Sequence, residues 1–283
     1  MKIAVASGKG GTGKTTVAVG LARALPGNVQ LLDCDVEEPN AFLFLNLDEV
    51  RSTEHSSLVP RIEADLCTAC GLCSRFCEFN ALALLKDRVL VFDNLCHGCG
   101  GCTIICPEKA IREEARPTGK IVFGQSGPIE HIYGDLNTGE AMAPPLIRAV
   151  KRRISKDKEV ILDSPPGTTC PMVTAVKDAD FCLLVTENTP FGLHDLEMAV
   201  EVLRDMEMPM GVVINRSDIG RSKVREFCGE KEIPVMLEIP YSRIIAEQYA
   251  VGVSIVDAEP QYRGKLVDMY REIEQIVMAG RGR

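Results

Sequence analysis

The sequence lacks a long apolar run, and it lacks an excess of basic residues. No stretch approaches the roughly 20 apolar residues of a membrane helix, so we expect no membrane partner. The formal net charge is −8 at pH 7, and nucleic-acid binding needs a basic face, so we expect no nucleic-acid partner. A β-rich run begins at Lys2 and leaves no room for a signal peptide, which predicts a cytoplasmic protein.

Histidine is scarce, with 4 residues, whereas cysteine is abundant, with 12 among 283 residues. The histidines do not cluster with other candidate ligands, apart from His97 beside Cys96. In a chain without a secretion signal, this many cysteines indicates metal or redox chemistry before disulfides.

Eight of the cysteines form a duplicated pattern that indicates iron–sulfur clusters. The spacing Cys-x2-Cys-x2-Cys-x3-Cys occurs twice, and the second copy lies 29 residues after the first. Three thiolates on one loop followed by a fourth suit cubane clusters, whereas zinc usually takes four tetrahedral ligands as two separated pairs. Zinc is therefore the weaker alternative. The eight residues are Cys67, Cys70, Cys73, Cys77, Cys96, Cys99, Cys102 and Cys106.

The rest of the chain alternates strand candidates with helix candidates. Continuous apolar strands between helices predict an α/β fold with a mostly parallel sheet covered on both faces. The composition changes over 60–116, which predicts a small inserted α+β domain within a discontinuous main domain, 1–59 and 117–283.

Two further segments matter for the fold. Ile121–Phe123 and Ile129–Tyr133 predict an edge hairpin after the insert. The last helix candidate, Tyr262–Met278, has an apolar stripe and a polar face that mixes acids with bases. This mixture favours a helix docked on the core over a membrane-targeting helix.

A glycine-rich loop follows the first strand candidate. Residues 8–15 read Gly-x-x-x-x-Gly-Lys-Thr between a strand and a helix, the context in which backbone N–H groups surround phosphates. Lys14 would meet the β- and γ-phosphates, and Thr15 would supply a hydroxyl to magnesium. Asp163 ends an apolar strand candidate, where a carboxylate can hold that magnesium through water. Gly167, in the following turn, is predicted to sense a γ-phosphate.

Together with Lys9, these residues resemble the deviant-P-loop ATPases of the MinD, ParA and Mrp type, a class that includes nitrogenase iron protein. The resemblance covers nearly the whole chain outside the insert. It implies a homodimer that closes around ATP and magnesium, with Lys9 reaching the partner's phosphates. It also implies that Asp35 positions the attacking water, that Asp33 belongs to the magnesium environment and that Asn215 reads adenine. A solvated asparagine at a strand end is the alternative for Asn215.

The motif and the resemblance together define the candidate sites. The catalytic candidates are Lys9, Lys14, Asp35 and Asp163. The candidates for binding ATP or ADP are Gly8, Gly10, Gly11, Thr12, Gly13, Lys14, Thr15, Thr16, Gly167 and Asn215. The candidates for the magnesium site are Thr15, Asp33 and Asp163.

The cysteine repeat resembles the bacterial two-cluster ferredoxins, in which the fourth cysteine of each run serves the other cluster. This resemblance implies two four-iron four-sulfur clusters. One departure is visible, because Glu78 follows Cys77, whereas Pro107 follows Cys106 as the ferredoxin pattern expects. The implied ligands of cluster one are Cys67, Cys70, Cys73 and Cys106, and those of cluster two are Cys96, Cys99, Cys102 and Cys77.

Two of the remaining cysteines have a predicted place. Cys182 lies in an apolar strand candidate, which predicts a core position. Cys170 lies seven residues beyond Asp163, the offset of an interface cluster ligand in nitrogenase iron protein. The second such ligand has no counterpart in the sequence, so a structural role is favoured for Cys170.

The leading hypothesis is an ATPase that couples nucleotide state to electron transfer through two clusters, toward a redox or iron–sulfur protein partner. One alternative is a cluster carrier of the Mrp type, disfavoured because the Cys-x2-Cys of such carriers is missing beyond Asp163. Another is a positioning ATPase whose clusters sense redox state, for which the sequence offers no membrane- or DNA-binding feature.

Overall fold

The computed structural model describes residues 1–220 and 223–281. Its strands are β1 (Lys2–Ala6), β2 (Val29–Asp33), β3 (Asp48–Ile62), β4 (Leu82–Leu85), β5 (Arg88–Val91), β6 (Ile111–Ser126), β7 (Ile129–Leu136), β8 (Glu159–Asp163), β9 (Phe181–Glu187), β10 (Met210–Asn215) and β11 (Val235–Ile239). Its α-helices are α1 (Lys14–Ala24), α2 (Leu72–Phe76), α3 (Gly101–Ile105), α4 (Ala143–Lys151), α5 (Cys170–Val176), α6 (Pro190–Asp205), α7 (Val224–Glu230), α8 (Arg243–Tyr249), α9 (Ile255–Ala258) and α10 (Gln261–Arg281). Short 3-10 turns lie at Ala41–Phe44 and Asp93–Leu95.

The main sheet has nine strands in the order β11-β10-β9-β1-β8-β2-β7-β6-β3. Neighbouring strands from β11 to β7 pair in parallel. The pairs β7–β6 and β6–β3 are antiparallel. The predicted mostly parallel α/β sheet is therefore confirmed.

Helices cover both faces of this sheet. On one face, α1 and α10 pack over β1 and β2, and on the other α4, α5, α6 and α7 pack over the same strands and their neighbours. Leu266 and Ile273 of α10 are fully buried, and burial of such a side chain contributes about 1.5–3 kcal/mol. The docked terminal helix is thus confirmed. No helix within 1–220 and 223–281 is long and apolar enough to cross a membrane.

The predicted edge hairpin is corrected in one respect. β7 is internal, because it also pairs with β2, and the true edge strand is β3, with 15 residues. Sequence reasoning missed β3 because most of its residues are exposed and polar, which leaves no apolar alternation to detect.

Strands β3 and β6 also carry the chain from the main sheet into the cysteine-rich region. They pair continuously from Asp48 with Gln125 to Ile62 with Ile111, apart from two register shifts. The predicted domain boundaries at 59/60 and 116/117 fall inside these two strands, and the division into two domains stays a prediction.

The cysteine-rich region has its own small core. The hairpin β4–β5 lies beside α2 and α3, and the buried residues are Cys73, Leu82, Val89, Cys102 and Ile111. Gly101 of α3 allows the close contact between the two helices, because a Cβ there would lie 2.3 Å from the Phe76 ring. Gly71 and Gly100 precede α2 and α3 in the same left-handed conformation, so the sequence repeat is also a structural repeat.

Candidate functional site

The phosphate loop connects β1 to α1 at the carboxyl edge of the parallel sheet. Lys14 and Thr15 form the first turn of α1 and are buried, and they line a cavity of about 440 Å³. This volume falls within the usual range for small-molecule sites. The predicted residues that line the cavity are Gly10, Gly11, Gly13, Lys14, Thr15, Thr16, Asp35 and Asn215.

Two positions of the loop require glycine. A Cβ at Gly8 would lie 2.1 Å from the carbonyl oxygen of Asp195, so the loop could not pack against α6. Gly13 has φ of 96°, and a Cβ there would lie 2.4 Å from the Asn215 side-chain nitrogen. Only glycine adopts such a conformation without steric cost. The two glycines therefore let the loop approach its protein neighbours, and its approach to phosphates stays a prediction.

Asn215 is connected directly to the phosphate loop. Its Nδ2 donates a hydrogen bond to the Thr12 carbonyl at 2.8 Å. The residue ends β10 and lines the cavity, so its amide can hold the loop by this hydrogen bond and also contact a bound base. Adenine recognition by Asn215 stays a prediction.

Two buried carboxylates lie side by side at the ends of β2 and β8. Asp33 and Asp163 are register partners in the parallel pair, and both are buried. Burial raises the pKa of each, and proximity to Asp163 raises that of Asp33 further. The positive charge of Lys14 and the hydroxyl of Thr15 act in the opposite direction on Asp163.

Only one of these two carboxylates lacks partners. Asp33 accepts backbone N–H bonds from Asp35, Asn40 and Ala41, each at 3.0 Å, and so shapes the loop after β2. Both oxygens of Asp163 are buried without a hydrogen-bond donor among the described residues. Thr15 is near enough to affect its pKa, but it is outside hydrogen-bond geometry. A buried carboxylate without a hydrogen-bond donor is suited to bind a divalent cation. Asp163 and Thr15 would hold that cation, and Asp33 would add negative charge from the neighbouring strand.

Asp35 lies on the loop that Asp33 shapes. Burial and the neighbouring Asp33 raise the pKa of Asp35 to about 7, and Lys14 opposes that rise. In the loop after β8, Pro166 lines the cavity, and the adjacent Gly167 donates its N–H to the Ser7 carbonyl at 3.0 Å. The segments after β2 and β8 thus both flank the space where a terminal phosphate would lie.

Lys9 lies beside the cavity without lining it. Its Nζ is 3.6 Å from Glu187 Oε2, and Arg216 pairs with the other oxygen of Glu187 at 2.7 Å. Glu187 was not predicted from the sequence. The only available signal was an acid at the end of a strand candidate, which by itself is weak.

Sequence reasoning also missed the wall of the cavity opposite the phosphate loop. This wall follows β11 and continues into α8, and its residues are Pro240, Tyr241, Ser242, Ile245, Ala246 and Tyr249. The signal was available, because ligands bind at the carboxyl ends of parallel strands and Pro240 directly follows such a strand.

The eight repeat cysteines surround two separate cavities. The first is lined by Cys67, Cys70, Cys73 and Cys106. The second, of about 400 Å³, is lined by Cys77, Cys96, Cys99 and Cys102. These are the two groupings that the ferredoxin resemblance implies, including the exchange of the fourth cysteine.

The thiols line these cavities without converging on a point. Among the residues described, no three His, Cys, Asp or Glu side chains come close enough to hold a single metal ion. Zinc would need four ligands at about 2.0–2.3 Å from one centre. In a four-iron cluster each iron takes one thiolate, so the four cysteines of a group need not meet at one centre.

Backbone N–H groups already point at three of the sulfurs. Ala81 donates to Cys77 at 3.4 Å, Gly98 to Cys96 at 3.4 Å and Ala110 to Cys106 at 3.3 Å. Such bonds stabilise thiolates and tune cluster potential. Without a cluster, burial raises the pKa of Cys102 to about 11, so cluster binding must release protons.

Three further residues singled out in the sequence analysis are His97, Cys182 and Cys170. His97 is half-buried and stacks on Phe79 with ring centroids 3.5 Å apart, beside the second cavity. Cys182 is fully buried, as predicted. Cys170 is exposed at the first turn of α5.

A lysine and a hydroxyl at the start of a helix, beside buried carboxylates on neighbouring parallel strands, define a P-loop nucleotide-binding domain. The chain belongs to the CobQ/CobB/MinD/ParA nucleotide binding domain family, whose profile matches residues 3–255.

Individual relatives agree with this assignment. The chain is 31% identical over 281 residues to an uncharacterized protein of Methanocaldococcus jannaschii, covering 98% of this chain and 96% of that one. It is 25% identical over 308 residues to an iron-sulfur cluster carrier protein of Pyrococcus horikoshii, covering 96% and 88%. The septum site-determining protein MinD of Pyrococcus horikoshii, solved with Mg-ADP, superposes with a TM-score of 0.60 at 19% identity, covering 97% and 96%. This last likeness shows the fold.

Proposed function

We propose that this chain is a homodimeric, magnesium-dependent ATPase that couples its nucleotide state to electron transfer through two four-iron four-sulfur clusters. The observation that carries the proposal is the continuity of one sheet. Strand β7 pairs with β2, which leads to Asp33 and Asp35, and β6 leads from β7 to the cysteine cavities. A movement at the nucleotide site therefore has a direct structural route to the clusters.

The proposed redox chemistry is a one-electron relay. Cys67, Cys70, Cys73 and Cys106 would hold one cluster and Cys77, Cys96, Cys99 and Cys102 the other, and the clusters would supply one-electron chemistry between a reduced donor protein and a redox or iron–sulfur protein partner. The two groups of four cysteines support this, because each group surrounds its own cavity.

The proposed dimer rests on Lys9. Lys9 does not line its own cavity, so its ammonium group would leave Glu187 and reach the phosphates of a second copy. Asp35 would then position water for attack on the γ-phosphate, while Lys14, Thr15 and Asp163 hold the nucleotide and its magnesium.

A second candidate function is delivery of a cluster to an apoprotein. The observation that favours it is the second cavity, with a volume of about 400 Å³ and with Cys99 exposed, together with a relative named as an iron-sulfur cluster carrier protein. A carrier loses iron to an apoprotein acceptor in an ATP-dependent manner, whereas an electron-transfer protein keeps its iron through many redox cycles.

The deciding experiment measures cluster potentials and the rate of electron transfer to an acceptor, with and without a nonhydrolysable ATP analogue. Wild type should respond to the analogue, and Lys14→Ala should not. Iron content before and after incubation with an apoprotein acceptor separates the two candidate functions. If wild-type potential and rate are both indifferent to nucleotide, the coupling proposal fails.

A further inference from the structure

A largely buried ion pair connects the nucleotide side of the sheet to the cysteine side. Arg116 Nη1 lies 2.5 Å from Glu140 Oε2, and the two side chains are 21% and 3% exposed. Two further nitrogens of Arg116 and the second oxygen of Glu140 are buried without a hydrogen-bond partner among the described residues. Such unsatisfied groups cost stability. A contribution to the stability of the fold therefore does not explain why Arg116 and Glu140 are placed here.

On the side of Glu140, the pair is joined to the loop that carries Asp35. Leu136 at the end of β7 donates its N–H to the Val36 carbonyl at 2.9 Å. The side chain of Val36 also packs on Gly134, where a Cβ would lie 2.6 Å from it. A tight turn then leads from Leu136 to Glu140. If Asp35 moved, the contacts of the adjacent Val36 with Leu136 and Gly134 would shift the turn that carries Glu140.

On the side of Arg116, the pair lies near the second cysteine cavity without lining it, because the adjacent Ala115 pairs with Leu58, which lines that cavity. Arg116 lies on β6 opposite Ser57 of β3, where these strands approach the cysteine region. The Glu140 carboxylate raises the pKa of Arg116, and the nearby Asp93 carboxylate and Cys96 sulfur add to that rise. Leu58, which pairs with the neighbour of Arg116, and Cys96 line the same cavity, so the guanidinium charge would lie within electrostatic range of cluster two.

A positive charge at this place has a definite effect on a cluster. A cluster bound by four thiolates becomes more negative on reduction, so a nearby cation favours the reduced form and raises the potential. Glu140 opposes that effect while it pairs with Arg116. Because the pair is largely buried, solvent ions screen it little.

We propose that Arg116 and Glu140 form an ion pair through which the nucleotide site adjusts the reduction potential of cluster two. The inference rests on the proposed function. Arg116 supplies the charge felt by the cluster, and Glu140 sets how much of that charge is cancelled. Movement of the Asp35 loop on ATP binding changes the contact between them, and cluster one, on the far side of the region, is affected much less.

The test measures the potentials of both clusters in the full-length iron-loaded protein, with and without a nonhydrolysable ATP analogue. Arg116→Met should lower the potential of cluster two, and Glu140→Gln should raise it. We expect each change to alter the redox equilibrium about tenfold, which is 59 mV for one electron. Both variants should lose the response to the analogue while they still bind it.

The matched control is another ion pair made by a residue of β6, with its partner on β7 itself. Lys120 Nζ lies 3.1 Å from Asp135 Oδ2, and both side chains are about half exposed. Lys120→Met should leave both potentials and the nucleotide response as in wild type. Arg116→Lys keeps the charge and should keep cluster two near the wild-type potential, which separates an electrostatic effect from damage to the fold.

The outcomes separate this inference from the proposed function. A wild-type response that survives in both Arg116→Met and Glu140→Gln, or a shift of cluster two in the same direction in both, would overturn the role of the pair. A wild type without any response would overturn the proposed coupling and, with it, transmission through the pair. Opposite shifts together with loss of the response would support the inference.

Discussion

The nucleotide cavity and the cysteine region are built in opposite ways. The cavity is lined by residues from Gly10 to Ile255, which only the complete parallel sheet brings together. The two cysteine cavities are lined by residues between Leu58 and Glu113, so most of their parts are close in sequence. A site assembled from distant segments depends on the fold, whereas a local site depends on its own short-range pattern.

The two regions also differ in what stabilises them. The sheet has a large apolar core on each face. The apolar cluster of the cysteine region contains five buried residues, two of which are cluster ligands by prediction. Small units with little core usually need metals or disulfides to fold. We therefore expect the cysteine region to depend on its clusters and the sheet to be independent of them.

Iron removal should have the largest effect, because it tests directly whether the cysteine region depends on its clusters and the sheet does not. Chelation under reducing conditions should abolish the hydrogen-exchange protection of β4, β5, α2 and α3, while the strands of the parallel sheet keep theirs. Hydrogen-exchange mass spectrometry of loaded and iron-free protein would measure this. Unchanged protection of the cysteine region after iron loss would contradict a cluster-dependent fold.

Lys14→Ala should affect only the nucleotide side. The variant loses the charge that contacts the phosphates, so its affinity for ATP should fall about 10- to 100-fold, as for hydrogen bonds to charged groups. Calorimetric titration would measure binding, and iron content serves as the internal control. A parallel loss of iron would mean that the two regions are not independent.

Substitution of single cysteines should affect only the cysteine side. Cys70→Ser should remove cluster one and Cys99→Ser cluster two, reducing iron from about eight to about four per chain. The exposed Cys170 offers a control, and Cys170→Ser should keep all the iron. Iron analysis and low-temperature paramagnetic resonance of the reduced protein would decide, and tightly bound zinc without such a signal would refute the cluster assignment.

The contact between Lys9 and Glu187 predicts that Glu187 restrains Lys9 before the proposed dimer forms. Lys9→Ala should prevent ATP-induced dimerisation while the monomer still binds ATP. Glu187→Gln should lower the ATP concentration needed for dimerisation several-fold, because exposed or partly buried ion pairs contribute up to about 1 kcal/mol. Arg216→Gln is the matched control, since it leaves the Lys9 contact in place. Light scattering against ATP concentration would show whether Glu187 restrains Lys9.

The smallest effect is expected for Asn215. Asn215→Ala removes the hydrogen bond to the Thr12 carbonyl, worth about 1 kcal/mol, and any contact with the base. ATP affinity should fall about fivefold, and the preference for ATP over GTP should narrow. An unchanged preference for ATP would favour the alternative of a strand-end asparagine without a role in base recognition.

The sequence determined the features that depend on short-range patterns. The phosphate loop, the first turn of α1 and the parallel strands follow from motif spacing and apolar runs, whereas the grouping of the cysteines follows from the resemblance to two-cluster ferredoxins. They were predictable because local backbone requirements and burial specify them. The carboxylates Asp33 and Asp163 were placed correctly at strand ends for the same reason.

The tertiary structure decided what depends on contacts between distant segments. The edge strand β3 was missed because its polar residues follow no apolar alternation, and only pairing with β6 makes it a strand. The contact of Lys9 with Glu187 and that of Arg116 with Glu140 join segments that no local pattern relates. The wall of the cavity after β11 likewise became part of the site only when the sheet brought Tyr241 and Tyr249 opposite the phosphate loop.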